Sequence, residues 1–184
     1  LFNDSSKVNL KTSSNFADGG FTLKQETDYK IITRDLDGSE NLSPITYNIK
    51  IFFDSNPQIE IIEPNKNVNL NEDQRLPLSV KISDDFGFSK LTLNYRLSAS
   101  QFDFVQEKFT TLEIPISKTT KEELVNHVWN LSNLNLATND VITYYLEIFD
   151  NDNISGPKST RTSEFNVRLP SLDELFSQTE IGRA

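Results

Sequence analysis

The sequence predicts an all-β protein built from antiparallel β-sandwich units. Three observations predict it: two-residue alternation of apolar and polar side chains, Asx and Gly turn chemistry between the alternating runs, and little helical periodicity. Short runs at Val8–Lys11, Phe21–Lys24 and Tyr29–Arg34 come first. The strongest alternation follows, with Ile45, Tyr47, Ile49, Ile51 and Phe53 on one face and Thr46, Asn48 and Lys50 on the other. That is the signature of a strand with one buried face. Leu78, Val80 and Ile82 repeat it, as do Leu91, Leu93, Tyr95 and Leu97, and then Leu112, Ile114 and Ile116. Ile142, Tyr144, Leu146 and Ile148 give another run, and Phe165, Val167 and Leu169 close the series. Turns lie between them at Asp35-Leu36-Asp37-Gly38, Asp84-Asp85-Phe86-Gly87 and Asp150-Asn151-Asp152-Asn153, the last running on to Gly156-Pro157.

Two segments carry helix signals. Thr119 and Thr120, each followed three residues later by Glu122 and Glu123, form a capping-box pattern that predicts one or two turns over 122–127. A strand over Val128–Leu131 follows. Ser171, with Asp173 and Glu174 in the first turn after it, predicts the start of a helix over 171–184.

Composition removes several function classes. The 184 residues carry 18 Lys+Arg and 27 Asp+Glu, a formal net charge of -9. So acidic a surface repels phosphate backbones, so no nucleic-acid partner is expected. No apolar run approaches the roughly 18 residues of a membrane span, and membrane contact by this segment is not expected. Cys is absent, which removes disulfides, thiolate metal sites and a cysteine nucleophile. Met is also absent and the first residue is Leu1, so the expectation is a piece of a longer protein.

An internal similarity sets the domain expectation. Tyr29-Lys30-Ile31, Asp35-Leu36-Asp37-Gly38, Ser43-Pro44 and Tyr47-Asn48-Ile49-Lys50-Ile51 follow in one order. Tyr144-Tyr145-Leu146, Asp150-Asn151-Asp152-Asn153, Gly156-Pro157 and Phe165-Asn166-Val167-Arg168-Leu169 follow in the same order. Each reads as the last hairpin of a sandwich, an acidic turn between two strands. The second copy has a full set of strands ahead of it and the first only half. Residues 1–55 are therefore expected to be the C-terminal half of one unit, 56–170 a complete unit, and 171–184 the start of a helical segment. In the second unit Asp140 lies four residues before Tyr144, which resembles the tyrosine corner of immunoglobulin-like domains. Trp129, the one Trp, is expected to plug the core, and Tyr29 to be the counterpart of Tyr144.

These residues carry a resemblance over about Asp28 to Leu175. The run Thr143-Tyr144-Tyr145-Leu146-Glu147-Ile148-Phe149-Asp150-Asn151-Asp152, then Ser155-Gly156-Pro157-Lys158-Ser159, then Pro170-Ser171-Leu172-Asp173-Glu174-Leu175, is its most distinctive part. Ser83-Asp84-Asp85-Phe86-Gly87-Phe88-Ser89-Lys90-Leu91 and Trp129-Asn130-Leu131 also fit. The chain resembles a family of large, membrane-anchored bacterial proteins with tandem immunoglobulin-like domains followed by helical or coiled-coil segments. That family has Gly where Asn153 stands, and Asn tolerates positive φ. The resemblance implies an extracytoplasmic location and no catalytic residues.

The chemistry available in the residues agrees with a non-catalytic reading. His127 is the single His, and no nucleophile elbow or phosphate-cradling Gly motif accompanies it. Calcium takes several oxygen ligands, and Asp150, Asp152 and Asn153 supply three in a short span. Asp35 and Asp37 offer a second set, while Asp54 and Asp84-Asp85 fall at turns that can lie near one another. Asx turns account for the same residues with no cofactor at all, and that is the expectation carried forward. Phe102-Asp103-Phe104, with Phe109 nearby, are the aromatics on which a glycan would stack, though they are expected to cap the sandwich. The functional expectation is a structural and protein-interaction module that binds a protein partner or another copy of itself. The alternative is a carbohydrate-binding or adhesive module, stabilised by calcium.

Overall fold

The computed structural model describes residues 1–3, 6–171, 173 and 174. The chain divides into two compact units, Leu1–Phe53 and the residues from Asp54 onward.

The first unit contains β1 (Lys11–Thr12), β2 (Ala17–Asp18), β3 (Thr27–Lys30) and β4 (Thr46–Ile49). β1 pairs with β2, and β3 with β4, both antiparallel. The other edge of β3 is taken by the first residues of the chain. Lys30 N–H donates to Leu1 O at 2.9 Å, Asn3 N–H donates to Asp28 O at 3.1 Å, and Phe2 lies opposite Tyr29. The strand expected over Ile45–Phe53 is cut to Thr46–Ile49, and Ile45, Phe52 and Phe53 are exposed. None of this unit's described residues is fully buried. An alternating strand buries its apolar face only against a second layer, and about 50 residues provide little of one.

The second unit holds the core. Its elements are β5 (Gln58–Glu63), β6 (Val68–Asn69), β7 (Arg75–Ser83), β8 (Phe88–Ala99), β9 (Thr110–Ile114), β10 (Glu122–Asn130), a 3₁₀ turn (Ser132–Leu134), β11 (Val141–Asp150), β12 (Ser159–Arg161) and β13 (Phe165–Arg168). One sheet has the order β10-β7-β5 and the other β6-β13-β11-β8-β9, with β12 also on β11. All these pairings are antiparallel except β6 with β13. Leu76, Leu78, Val80, Ile82, Val125 and Trp129 from the first sheet share one core with Leu91, Leu93, Ile142, Tyr144, Leu146, Ile148 and Val167 from the second. Burial alternates residue by residue along β7, as a strand with one wet face requires.

The helix expected over 122–127 is instead the first part of β10. Nine consecutive residues of β10 pair in register with β7, from Glu122 opposite Ser83 to Asn130 opposite Arg75. This ladder satisfies the backbone along its length and turns Val125 and Trp129 inward, which outweighs a local cap. The Glu123 carboxylate accepts the Ser117 N–H at 2.8 Å. The helix expected over 171–184 falls largely on Leu172 and 175–184, which lie outside the described residues. Ser171 and Glu174 exchange two hydrogen bonds, Ser171 N–H to Glu174 Oε2 at 3.1 Å and Glu174 N–H to Ser171 Oγ at 3.4 Å.

The β3–β4 and β11–β13 pairs place similar residues at the same register. Tyr29 lies opposite Tyr47 and Tyr144 opposite Phe165, with Asp28 opposite Asn48 and Thr143 opposite Asn166. Asn48 Nδ2 donates to Asp28 Oδ1 at 2.7 Å, and Thr143 Oγ1 donates to Asn166 Oδ1 at 2.7 Å. The neighbouring rings also correspond. In the second unit Tyr95 meets Trp129, Trp129 meets Tyr144 and Tyr144 meets Phe165, with centroids 5.1, 5.5 and 5.9 Å apart. In the first, Phe2 meets Phe21, Phe21 meets Tyr29 and Tyr29 meets Tyr47, at 4.8, 6.5 and 5.2 Å. Phe2 faces Tyr29 across its strand pair as Tyr95 faces Tyr144.

Candidate functional site

The chemistry-bearing side chains of the second unit gather where β7 turns into β8 and β11 leaves its sheet. In the first turn the Asp84 carboxylate accepts two backbone donors through Oδ2, Phe86 N–H at 2.9 Å and Gly87 N–H at 2.8 Å. Gly87 has φ +105°, a left-handed conformation that other residues adopt at a cost, and a Cβ there would come within 3.3 Å of Asn151 Nδ2. Asn151 holds this turn to the next one. Its Nδ2 donates to Phe86 O at 2.9 Å and its N–H to Gly87 O at 3.1 Å.

The second turn is organised by Asp150. Its own N–H donates to Lys158 O at 3.0 Å, and its Oδ1 accepts Lys158 N–H at 2.9 Å and Asp152 N–H at 3.2 Å. Its Oδ2 lies 2.7 Å from Lys158 Nζ, which also pairs with Asp54 Oδ2. Burial alone would raise the Asp150 pKa, but the hydrogen bonds from Lys158 and Asp152 outweigh it and hold the carboxyl below its usual range. Lys158 is pushed upward by its bonds to Asp150 and Asp54, so the ammonium stays charged. Asp85 completes the cluster, accepting the Ser55 N–H through Oδ2 at 3.2 Å. Asp54, Asp84 and Asp85 each place a carboxylate oxygen within 4.8 Å of the other two.

The five acidic-loop residues expected as calcium ligands are mostly occupied locally. Asp150 is engaged as above. Asp152 Oδ1 accepts Ile154 N–H at 2.7 Å and Ser155 N–H at 3.0 Å, and these bonds, Ser155's first, lower its pKa. Asn153 is exposed and its φ is not positive. In the first unit Asp35 Oδ1 accepts Ser39 N–H at 2.8 Å, and Asp37 is exposed. Sequence reasoning missed Lys158. The available signal was one cation closing a loop that opens with Asp150.

The structure corrects the hydrogen bonding expected around Tyr144. Its ring is fully buried between Trp129 and Phe165, and its hydroxyl has no hydrogen-bond partner. Burial drives its pKa upward. Asp140, four residues ahead of it, uses its carboxylate locally, with Oδ2 accepting the Ala137 N–H at 2.8 Å. Trp129 is 3% exposed.

Phe102 and Phe104 are 74% and 99% exposed, so they do not cap the sandwich. The hairpin tip carrying them extends beyond the reach of the core, while Phe109 packs edge-on against Tyr145 at 5.0 Å. His127 lies opposite Leu78, and partial burial lowers its pKa. Among the described residues it has no hydrogen bond to a hydroxyl or carboxylate. Neither the protein-family models nor the curated proteins give a match to this chain.

Proposed function

We propose that this chain is a non-catalytic spacer and protein-interaction module of a larger, membrane-anchored, extracytoplasmic bacterial protein, made of tandem immunoglobulin-like units of which the first is incomplete. The observation that carries the reading is the four-ring ladder and its shared register, present once in each unit. Strand order in the second unit supports it. A sheet β10-β7-β5 facing a sheet β13-β11-β8-β9 corresponds to the E-B-A and G-F-C-C′ sheets of that fold, and β6 crosses over to pair with the last strand. The exposed Ile45, Tyr47, Phe52 and Phe53 of the first unit support an interaction role, because so much apolar surface is rarely left in water.

Sedimentation over a range of concentrations tests the interaction. Self-association is expected, and Tyr47→Lys is expected to weaken it. A strictly monomeric protein unaffected by that change would remove self-association and leave only a different protein as the partner.

A second reading, a carbohydrate-binding or adhesive module, is favoured by the exposed Phe102 and Phe104. Stacking on a sugar face uses rings presented in this way. Binding on a glycan array that Phe104→Ala abolishes would select this reading over the first.

A further inference from the structure

We propose that Asp54, Asp84 and Asp85 form a divalent-cation site whose fitting ion is Ca²⁺. The proposal does not depend on the module reading above. Asp84 is only 8% exposed, yet its Oδ1 is buried and has no hydrogen-bond partner, and Asp54 Oδ1 is buried without a partner as well. A buried carboxylate oxygen left unsatisfied is costly, and native structures pair such atoms with a donor or a cation.

Each of the three carboxylates is held through one oxygen and leaves the other free. Asp84 is fixed through Oδ2 by Phe86 N–H and Gly87 N–H, Asp85 through Oδ2 by Ser55 N–H, and Asp54 through Oδ2 by Lys158. The tethered carboxylates are thus pre-oriented. Lys158 does not complete the balance, because its single charge is shared between Asp54 and Asp150. Four carboxylates meet one ammonium.

The number and type of ligands point to the ion. Ca²⁺ binds oxygens at about 2.3–2.6 Å, so two ligands on opposite sides of it stand roughly 4.6–5.2 Å apart. Asp54, Asp84 and Asp85 can each offer a carboxylate oxygen within 4.8 Å of the other two, inside that limit. Mg²⁺ keeps several of its waters and is usually held by one or two carboxylates, so three converging carboxylates favour Ca²⁺. An all-oxygen donor set disfavours zinc and copper.

Titration calorimetry of Ca²⁺ into chelator-treated protein, paired with thermal melting, tests the proposal. The expected result is saturable binding with a Kd of about 1 mM or tighter, the range of extracellular calcium modules, and a melting temperature raised by several degrees. Asp85→Asn keeps an oxygen for the Ser55 N–H, so the calcium-free protein should stay folded with a melting temperature no lower than wild type, while Ca²⁺ is weakened at least tenfold. Asp84→Asn keeps an oxygen for the turn and should weaken Ca²⁺ in the same way. Asp152→Asn, on the neighbouring loop, should leave the affinity unchanged. No heat and no melting shift at about 10 mM Ca²⁺ would overturn the proposal. So would binding that Asp85→Asn and Asp84→Asn leave intact, or a melting shift that NaCl of equal ionic strength reproduces.

Discussion

The two acidic turns that follow Tyr29 and Tyr144 share one hydrogen-bonding design and differ in length and in the residue that closes them. In both, an Asp N–H donates across the loop to a carbonyl, and the carboxylate of that Asp accepts the N–H of the same residue. The pairs are Asp35 with Ser39 and Asp150 with Lys158. In both, a glycine with positive φ comes just before, Gly38 at +88° and Gly156 at +96°. The shorter turn ends in Ser39, which has no charge to offer. The longer ends in Lys158, whose ammonium allows Asp150 to be buried at the end of β11 and ties it to Asp54. A backbone template can therefore recur while burial changes completely, because burying a carboxylate depends on a counter-charge. The ring ladders teach the same lesson. Trp129 and Tyr144 sit under two sheets, whereas Phe21 and Tyr47 have water on one side.

Several measurements would break or sharpen this contrast. The largest difference is expected in hydrogen exchange. Amides of β8 and β11 should exchange only through global opening, and those of β3 and β4 about 10³-fold or more faster, because local stability follows burial. Equal protection would mean that the first unit has cover the chain alone does not supply. In chemical denaturation Trp129→Ala should cost about 3–5 kcal/mol, as large aromatic truncations in cores do. Its counterpart Phe21→Ala should cost less than about 1 kcal/mol. A small loss at Trp129 would put the core elsewhere.

Lys158→Met should destabilise the second unit by leaving Asp150 buried without its ammonium. The wild-type Asp150 carboxyl is held below its ordinary 3.8, so its contribution is present above that pH and is lost as pH falls through the folded value. The deficit of the variant, followed by melting, should therefore be largest near neutral pH and shrink below about pH 4. Ser39→Ala should show no such pH dependence. The smallest effect is at the unpartnered hydroxyl. Tyr144→Phe should stabilise by about 1 kcal/mol, since it removes a buried polar group that bonds nothing. Tyr29→Phe should be neutral, and a loss at Tyr144 would reveal a partner for its hydroxyl.

The strands of the second unit were legible in the sequence because half-buried strands write their geometry as alternation. Leu78, Val80 and Ile82, and Ile142, Tyr144, Leu146 and Ile148, are all buried as that pattern requires. Glu122–His127 was misread because a capping box is a local signal, and the ladder to β7 that overrides it comes from residues more than 35 positions away. Ile45–Phe53 shows the opposite limit, since alternation declares an apolar face but cannot supply its cover. The acidic cluster was half legible. Its carboxylates lie in recognisable turns, but their convergence and the role of Lys158 depend on loops that only folding brings together.

The one parallel pairing has a mechanical consequence. Val68 and Asn69 of β6 lie beside Val167 and Arg168 of β13, and Leu70 N–H donates to Arg168 O at 2.8 Å. Side chains extend the seam, with Asn166 N–H donating to Asn67 Oδ1 at 2.8 Å and Arg168 Nε to Asn69 Oδ1 at 3.2 Å. Tension applied between the two ends of this unit runs in opposite directions along two strands that point the same way. The seam is then loaded in shear, and its bonds must give way together. An antiparallel terminal pair, pulled from the same ends, would peel apart one bond at a time. The short seam from Asn67 to Leu70 thus resists such a pull in shear, behind the β5–β7 ladder that the pull meets first.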